Sequence, residues 1–307
     1  MSADMLELVL MTVVTAATPL IIAAIGELVA ERSGVLNLGV EGMMIVGASV
    51  GFAAAFSSGS TLIGALAGIA AGVVLSSLFA LLAIGLAINQ VASGLSLTIL
   101  GVGLSGLMGA PFVGQKREAA SRLAIPYLSD IPYVGRLVFG EDMFVYAAIA
   151  LVAACWWFLN RTRAGLTLRA IGDNHHSAHA LGLPVRRVRV LSTLFGGACA
   201  GLAGAYLSLA YTPFWSPGMT AGRGWIALAL VVFASWKPWR VVLGALLFGG
   251  ATVLQLHAQA ASIGVPGQLL SATPYLATIV ALMILSIGAR RNAAAPAALG
   301  QPFVATR

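Results

Sequence analysis

Charge is scarce in this sequence: Asp, Glu, Lys and Arg make up 9% of 307 residues, while 59% are hydrophobic. So little polar surface cannot coat a soluble globule of this size, and the chain reads as a polytopic membrane protein. Lysine is found only at 116 and 237, so no GxxxxGK[ST] phosphate loop exists and the chain cannot hold ATP in that mode. Cysteine is nearly absent. Cys155 and Cys199 both fall within apolar runs, where they behave as small hydrophobes, and they suggest neither a disulfide framework nor a redox motif. Interleaved aromatic and basic residues are also lacking, which argues against nucleic-acid binding despite a formal charge of +7. No constellation resembles an active site, so the chain is not expected to be an enzyme.

What the sequence does have is long apolar runs without the alternation of a barrel strand. In the hydrocarbon core every backbone polar group needs an internal partner, so such runs must be helices. The fold class is therefore an all-α integral membrane protein of about nine transmembrane helices, within a range of eight to ten. Expected spans are 6–29, a second ending near Phe56, 62–88, 91–110, 143–159, 190–211, a short one at 225–236, 241–257 and 273–287. The segments 35–48, 89–95 and 212–236 could each be re-entrant. Polytopic domain 1–290 is followed by a low-complexity stretch, 291–307, expected to be a disordered cytoplasmic tail. Gly64, Gly68 and Gly72 form overlapping small-xxx-small repeats, which let another helix approach closely.

The longest polar stretch is 160–189, "NRTRAGLTLRAIGDNHHSAHALGLPVRRVR", with six Arg and the single acid Asp173. Its basic excess places it in the cytoplasm by the positive-inside rule, with the N-terminus outside. The pattern predicts two short helices: Leu166–Ile171 broken by Gly172, then an N-cap at Asp173 or Asn174 and a helix running to Leu181, stopped by Gly182 and Pro184. This loop is either a topology signal or a docking surface for a cytoplasmic partner. Residues 111–140 lack a basic excess and belong outside. Phe214 and Trp215 suit a membrane interface.

Three histidines, His175, His176 and His179, have helical spacing that could hold a metal, but no carboxylate or thiol supports them, so no metal site is assigned. His257 reads as an interface residue. Ionisable groups facing lipid are costly, by about 2.5–3.5 kcal/mol on insertion scales, so Glu27, Glu41 and Arg223 should face the bundle interior, an aqueous path or a membrane boundary. "EGMMIVGA" at Glu41 and "RGWIALAL" at Arg223 open oppositely directed spans, the mark of an inverted repeat with broken helices. The substrate-pathway candidates are Asn37, Glu41, Asn89, Gln90, Arg223 and Trp225. Amides and an aromatic face suit a polar ring compound, while Glu41 and Arg223 better suit holding the broken segments in place.

"GELVAERSGVLNLGVEGMMIVGA" (26–48), "TRAGLTLRAIGDNHHSAHALGL" (162–183) and "GMTAGRGWIALALVVFASWKP" (218–238) resemble the matching segments of permease subunits of bacterial ATP-binding cassette importers. The nearest group is the nucleoside and simple-sugar permeases that work with basic-membrane-protein-type lipoproteins, relatives of the branched-chain amino acid and ribose permeases. The resemblance implies inward transport of a nucleoside or simple-sugar-like solute across the bacterial inner membrane. It also implies an ATPase subunit that carries the ATP and Mg, a second and different permease subunit, and an extracytoplasmic solute-binding lipoprotein. The basic loop would then hold the coupling helix, with Arg169, Gly172, Asp173, Asn174, Ala178, Ala180, Leu181 and Gly182 at the ATPase contact. The family pattern has Pro and a basic residue after "GDN" and an acid at position 179, where this chain has histidines. Alternatives are a branched-chain amino acid permease of the same superfamily, or an ion- or proton-coupled secondary transporter using Glu41 or Glu27.

Overall fold

The computed structural model describes residues 3–121, 139–261 and 295–304, together with part of 266–283. The described elements are helical: α1 (Ala3–Arg32), α2 (Val40–Ser58), α3 (Thr61–Ala80), α4 (Gln90–Gly109), α5 (Met143–Arg161), α6 (Arg163–Asp173), α7 (His175–Ala180), α8 (Val185–Tyr206), α9 (Arg223–Phe233) and α10 (Pro238–Ala260). A π-helical turn extends α3 over Leu81–Gly85, and another extends α8 over Leu207–Tyr211. The only β pairing among the described residues is an isolated bridge between Lys116 and Phe214.

Seven helices are long and apolar enough to cross a membrane: α1 to α5, α8 and α10. The protein is a multi-pass membrane protein. The short span expected at 225–236 is α9, whose 11 residues rise about 16 Å, half of a hydrocarbon core of about 30 Å. The expected ninth span, 273–287, lies largely outside the described residues, as do Arg290, Arg291 and residues 122–138 of the stretch 111–140 that was expected outside.

Polar residues at the boundaries start the helices. Asp142 Oδ1 accepts from the Phe144 and Val145 amides, Asn89 Oδ1 from Ala92, Thr162 Oγ1 from Gly165 and Asn174 Oδ1 from Ser177, each filling donors that a first turn leaves unpaired. Pro19 lies inside α1, which continues through it. Gly172, expected to break the first cytoplasmic helix, instead lies within α6. It is glycine because the Arg32 carbonyl occupies the place of a Cβ.

The core lies among α1, α2, α3 and α8, where Leu20, Ile22, Ile25, Leu28, Met43 and Met44 are fully buried. The glycine repeat of α3 does what its spacing implies. A Cβ on Gly72 would strike the Gly197 carbonyl of α8, and one on Gly201 would strike the Gly68 carbonyl, so the two backbones touch. Contact this close is unavailable to any larger residue. Trp215, expected at an interface, is 1% exposed and packs flat against Gly109, while Phe214 is 40% exposed.

Candidate functional site

Two irregular segments interrupt the bundle: 33–39 between α1 and α2, and 212–222 between α8 and α9. They meet at Glu41. Its Oε1 accepts from Thr220 Oγ1 at 2.6 Å and the Gly222 amide at 2.8 Å, and its Oε2 accepts from the Gly224 amide at 2.7 Å. A Cβ on Gly224 would lie 2.6 Å from the Glu41 Cα, so the first turns of α2 and α9 abut. The carboxylate, carried on the first turn of α2, fills the anion site at the N-terminus of α9. From this junction the helices diverge. α9 leads to Trp236, whose indole donates to Glu31 Oε2 at the C-terminal end of α1, while α2 leads to Gly59, whose carbonyl accepts from Arg117 at the opposite end of the bundle. A full-length helix, α2, and a half-length one, α9, thus start from one point.

Of the pathway candidates, the structure groups Glu41, Arg223 and Trp225 at this junction. Arg223 Nη1 donates to the Met219 carbonyl at 3.1 Å and its guanidinium lies 5.4 Å from the Tyr211 ring centroid, so it closes the turn entering α9. Trp225 is 47% exposed and faces out of the bundle. Asn37 is buried and occupied locally: Oδ1 accepts from the Gly39 amide and Nδ2 donates to Met43 Sδ. Its backbone amide donates to Glu27 Oε1, whose other oxygen has no partner. Gln90 lies at the cytoplasmic end, accepting from the Leu36 amide at 2.8 Å. Asn89 is exposed and caps α4. The six candidates are therefore not one cluster. Asn89 and Gln90 stand at the start of α4, beside the linker and away from the junction.

The basic stretch folds into α6 and α7 as two consecutive helices, the second capped by Asn174. Asp173, Asn174, Ala180, Leu181 and Gly182 are exposed, with Leu181 at 81%. Gly182 has φ +79°, a left-handed conformation that ends the helix. Ala178 points inward with Ile171, Val185 and Phe303, and Gly172 is buried against Arg32. Arg169 faces elsewhere, into a cytoplasmic cleft of about 340 Å³ that it lines with Arg32, Trp156, Asn160, Lys237 and Trp239. The three histidine rings surround Phe303, with centroid separations of 5.4, 6.0 and 5.3 Å for His175, His176 and His179.

Phe303 belongs to a stretch expected to be disordered. Over 295–304 it is instead held against α6 and the linker 33–39: the Ala298 amide donates to the Gly172 carbonyl at 2.9 Å and the Gly300 amide to the Gly34 carbonyl at 3.2 Å. Low-complexity composition hid this, since Ala298 and Phe303 are buried one by one, five residues apart. Residues 291–294 and 305–307 lie outside the described set. Sequence reasoning also missed Arg189, counted only as a topology charge. It is 1% exposed, and its Nη2 lies 3.1 Å from His175 Nδ1. A guanidinium only donates, so that nitrogen accepts and His175 is neutral. Burial, then the Arg189 charge and then His176 push the His175 pKa down to about 4, consistent with that state. The one available signal was an Arg one turn inside an apolar helix.

The chain matches the family described as branched-chain amino acid transport system, permease component, over residues 9–287. It is 41% identical to a putative glucose ABC transporter permease protein of Haloferax volcanii, over 94% of this chain and 95% of that one. It is 32% identical to a nucleoside ABC transporter permease protein of Lactococcus lactis and 30% identical to a guanosine ABC transporter permease protein of Bacillus subtilis, each over 98% of both chains. No solved structure matches it significantly.

Proposed function

The chain belongs to the permease-component family of branched-chain amino acid transport systems, and from that premise we propose that this ABC importer permease admits a nucleoside or simple sugar across the bacterial cytoplasmic (inner) membrane. Its energy comes from ATP and Mg bound on a separate ATPase subunit, with no cofactor on this chain. A second, different permease subunit and an extracytoplasmic solute-binding lipoprotein complete the assembly. The observation that carries this reading is α7: a six-residue helix held outside the bundle, ending on an 81%-exposed leucine. A soluble partner would bury such a residue, and the ATPase is the partner that an importer permease requires. Asp173, Asn174, Ala180, Leu181 and Gly182 form the contact, with Gly172 and Ala178 supporting it from behind. Arg169 borders the contact from the neighbouring cleft.

The junction favours a neutral solute. Neither charge at the junction is open to an amino acid zwitterion: the oxygens of Glu41 are filled by three donors, and Arg223 is turned onto carbonyls and Tyr211. The same filling argues against Glu41 as a proton carrier. Trp225, exposed beside the junction, supplies an aromatic face for a base or sugar ring. The solute path would be completed by the second permease against that face. Reconstitution with the ATPase, second permease and binding protein tests this: labelled guanosine or glucose should accumulate in an ATP-dependent way, and labelled leucine should not. Leucine uptake alone would move the substrate assignment to amino acids. Solute uptake driven by a proton gradient without ATP would end the importer reading.

A further inference from the structure

Arg189 and segment 295–304 tie together α6 and α7, the linker 33–39 and a distant part of the chain. Arg189 Nε donates to the Ser33 carbonyl at 3.1 Å, Nη1 to the Gln301 carbonyl at 3.0 Å and Nη2 to His175 Nδ1 at 3.1 Å. None of these acceptors is a carboxylate. A buried cation held only by neutral groups is costly unless its donors are met, so each acceptor is held in place by its bond to Arg189. The segment adds its own ties: Ala298 to α6 through Gly172, Gly300 to the linker through Gly34, and Phe303 to α7 through three imidazoles. Gly34 has φ +89°, and a Cβ there would lie 2.6 Å from Arg189 Nη2 and 3.1 Å from the Ala298 carbonyl, so the linker also admits no side chain at this contact. The linker then runs to Asn37, whose amide donates to Glu27, and on to Glu41.

We propose that Arg189 and segment 295–304 act as a latch joining the coupling helix α7 to linker 33–39, so that movement imposed on α7 is delivered to the start of α2. This rests on the reading of α7 as the ATPase contact. The alternative for α7 is to move on its own and slide past the linker. With Arg189 bridging His175 and Ser33, and the segment binding both sides, the two cannot separate without breaking the whole set. Pro302 and Val304 are exposed beside α7, so the segment also widens the surface offered to the partner. Arg189 is a positioning residue in this scheme. It touches no solute.

The test uses the full chain in its reconstituted complex. In the full complex the Ala298 and Gly300 amides, bonded to the Gly172 and Gly34 carbonyls, should exchange hydrogen at least tenfold more slowly than their intrinsic rates; exchange at the intrinsic rates overturns the docked segment and the proposal with it. Removal of residues 295–307, and separately Arg189→Gln, should lower solute moved per ATP hydrolysed at least tenfold while ATP hydrolysis continues. Arg189→Lys keeps the charge but not the three-way fork, and should stay uncoupled. If Arg189→Gln is not recovered folded, the truncation, which leaves the bundle intact, decides. A truncated chain that couples within twofold of the parent overturns the latch. A parent complex that moves no solute on ATP counts against the importer reading instead, and hydrogen exchange at Ala298 and Gly300 still reports on the latch.

Discussion

Glu41 and Arg189 are each a buried charge, 6% and 1% exposed, and each joins segments far apart in sequence, yet their partners differ in kind. Around Glu41 the partners are two backbone amides and a hydroxyl at the abutting ends of two helices, with glycine at the closest approach. Around Arg189 they are two carbonyls and an imidazole, on three segments that are not packed helix on helix. The first junction is locked by backbone contact as well as charge. The second depends on a segment that can be removed. One chain thus carries a fixed fastening within the bundle and a separable one at its cytoplasmic face, and the difference suits a core that keeps its form while a peripheral helix receives a partner.

Breaking the inner junction should have the largest effect. Glu41→Ala leaves two amides and a hydroxyl without their acceptor, a loss of about 1–3 kcal/mol for each donor left buried and unsatisfied. The expected outcome is a sharp fall in folded protein recovered from the membrane and in its thermal midpoint, whereas removal of 295–307 should leave that midpoint nearly unchanged. Equal losses from the two changes would erase the contrast between the junctions.

A smaller effect should separate them by pH. His175 accepts from Arg189 only when neutral, and its folded pKa, about 4, lies below the value of about 6.5 for an unfolded histidine. The contribution of this contact is fully present above pH 6.5 and is lost as the pH falls from there through 4. The charged and titratable groups against His175 are Arg189 and His176. Hydrogen exchange within 295–304 should therefore quicken as the pH is lowered, after correction for the intrinsic rate, and His175→Gln should flatten that dependence. Exchange at Gly222 and Gly224 should not follow the same curve.

The inner junction was largely legible in the sequence, because an acid and an Arg inside apolar runs, each followed by glycine, stand out against a background of 9% charge. The two short helices were legible too, with Asn174 one of the two caps expected for α7, although Gly172 was expected to end α6 and lies inside it. The outer latch was not. Arg189 sits among Arg186 and Arg187, both exposed, and only three-dimensional packing turns one arginine of the three inward. Segment 295–304 lacks the periodicity of a helix or strand, and its docking depends on single buried contacts and on carbonyls, which every residue has. Asn89 and Gln90 were placed in the pathway by residue type alone. Their amides instead serve a helix cap and the linker, since an amide that can bind a solute can bind a backbone equally well.

The central claim is that Glu41 fastens the two broken segments and does not bind solute, and Glu41→Gln in the reconstituted importer tests it most directly. The amide keeps the shape but cannot accept at both of its terminal atoms, so one of the three donors loses its acceptor. Thermal midpoint and the half-saturating solute concentration should be measured on the same preparation. The account predicts a lowered midpoint with half-saturation of the surviving complex within twofold of the parent. An unchanged midpoint with half-saturation shifted tenfold or more would contradict it and make Glu41 a solute ligand.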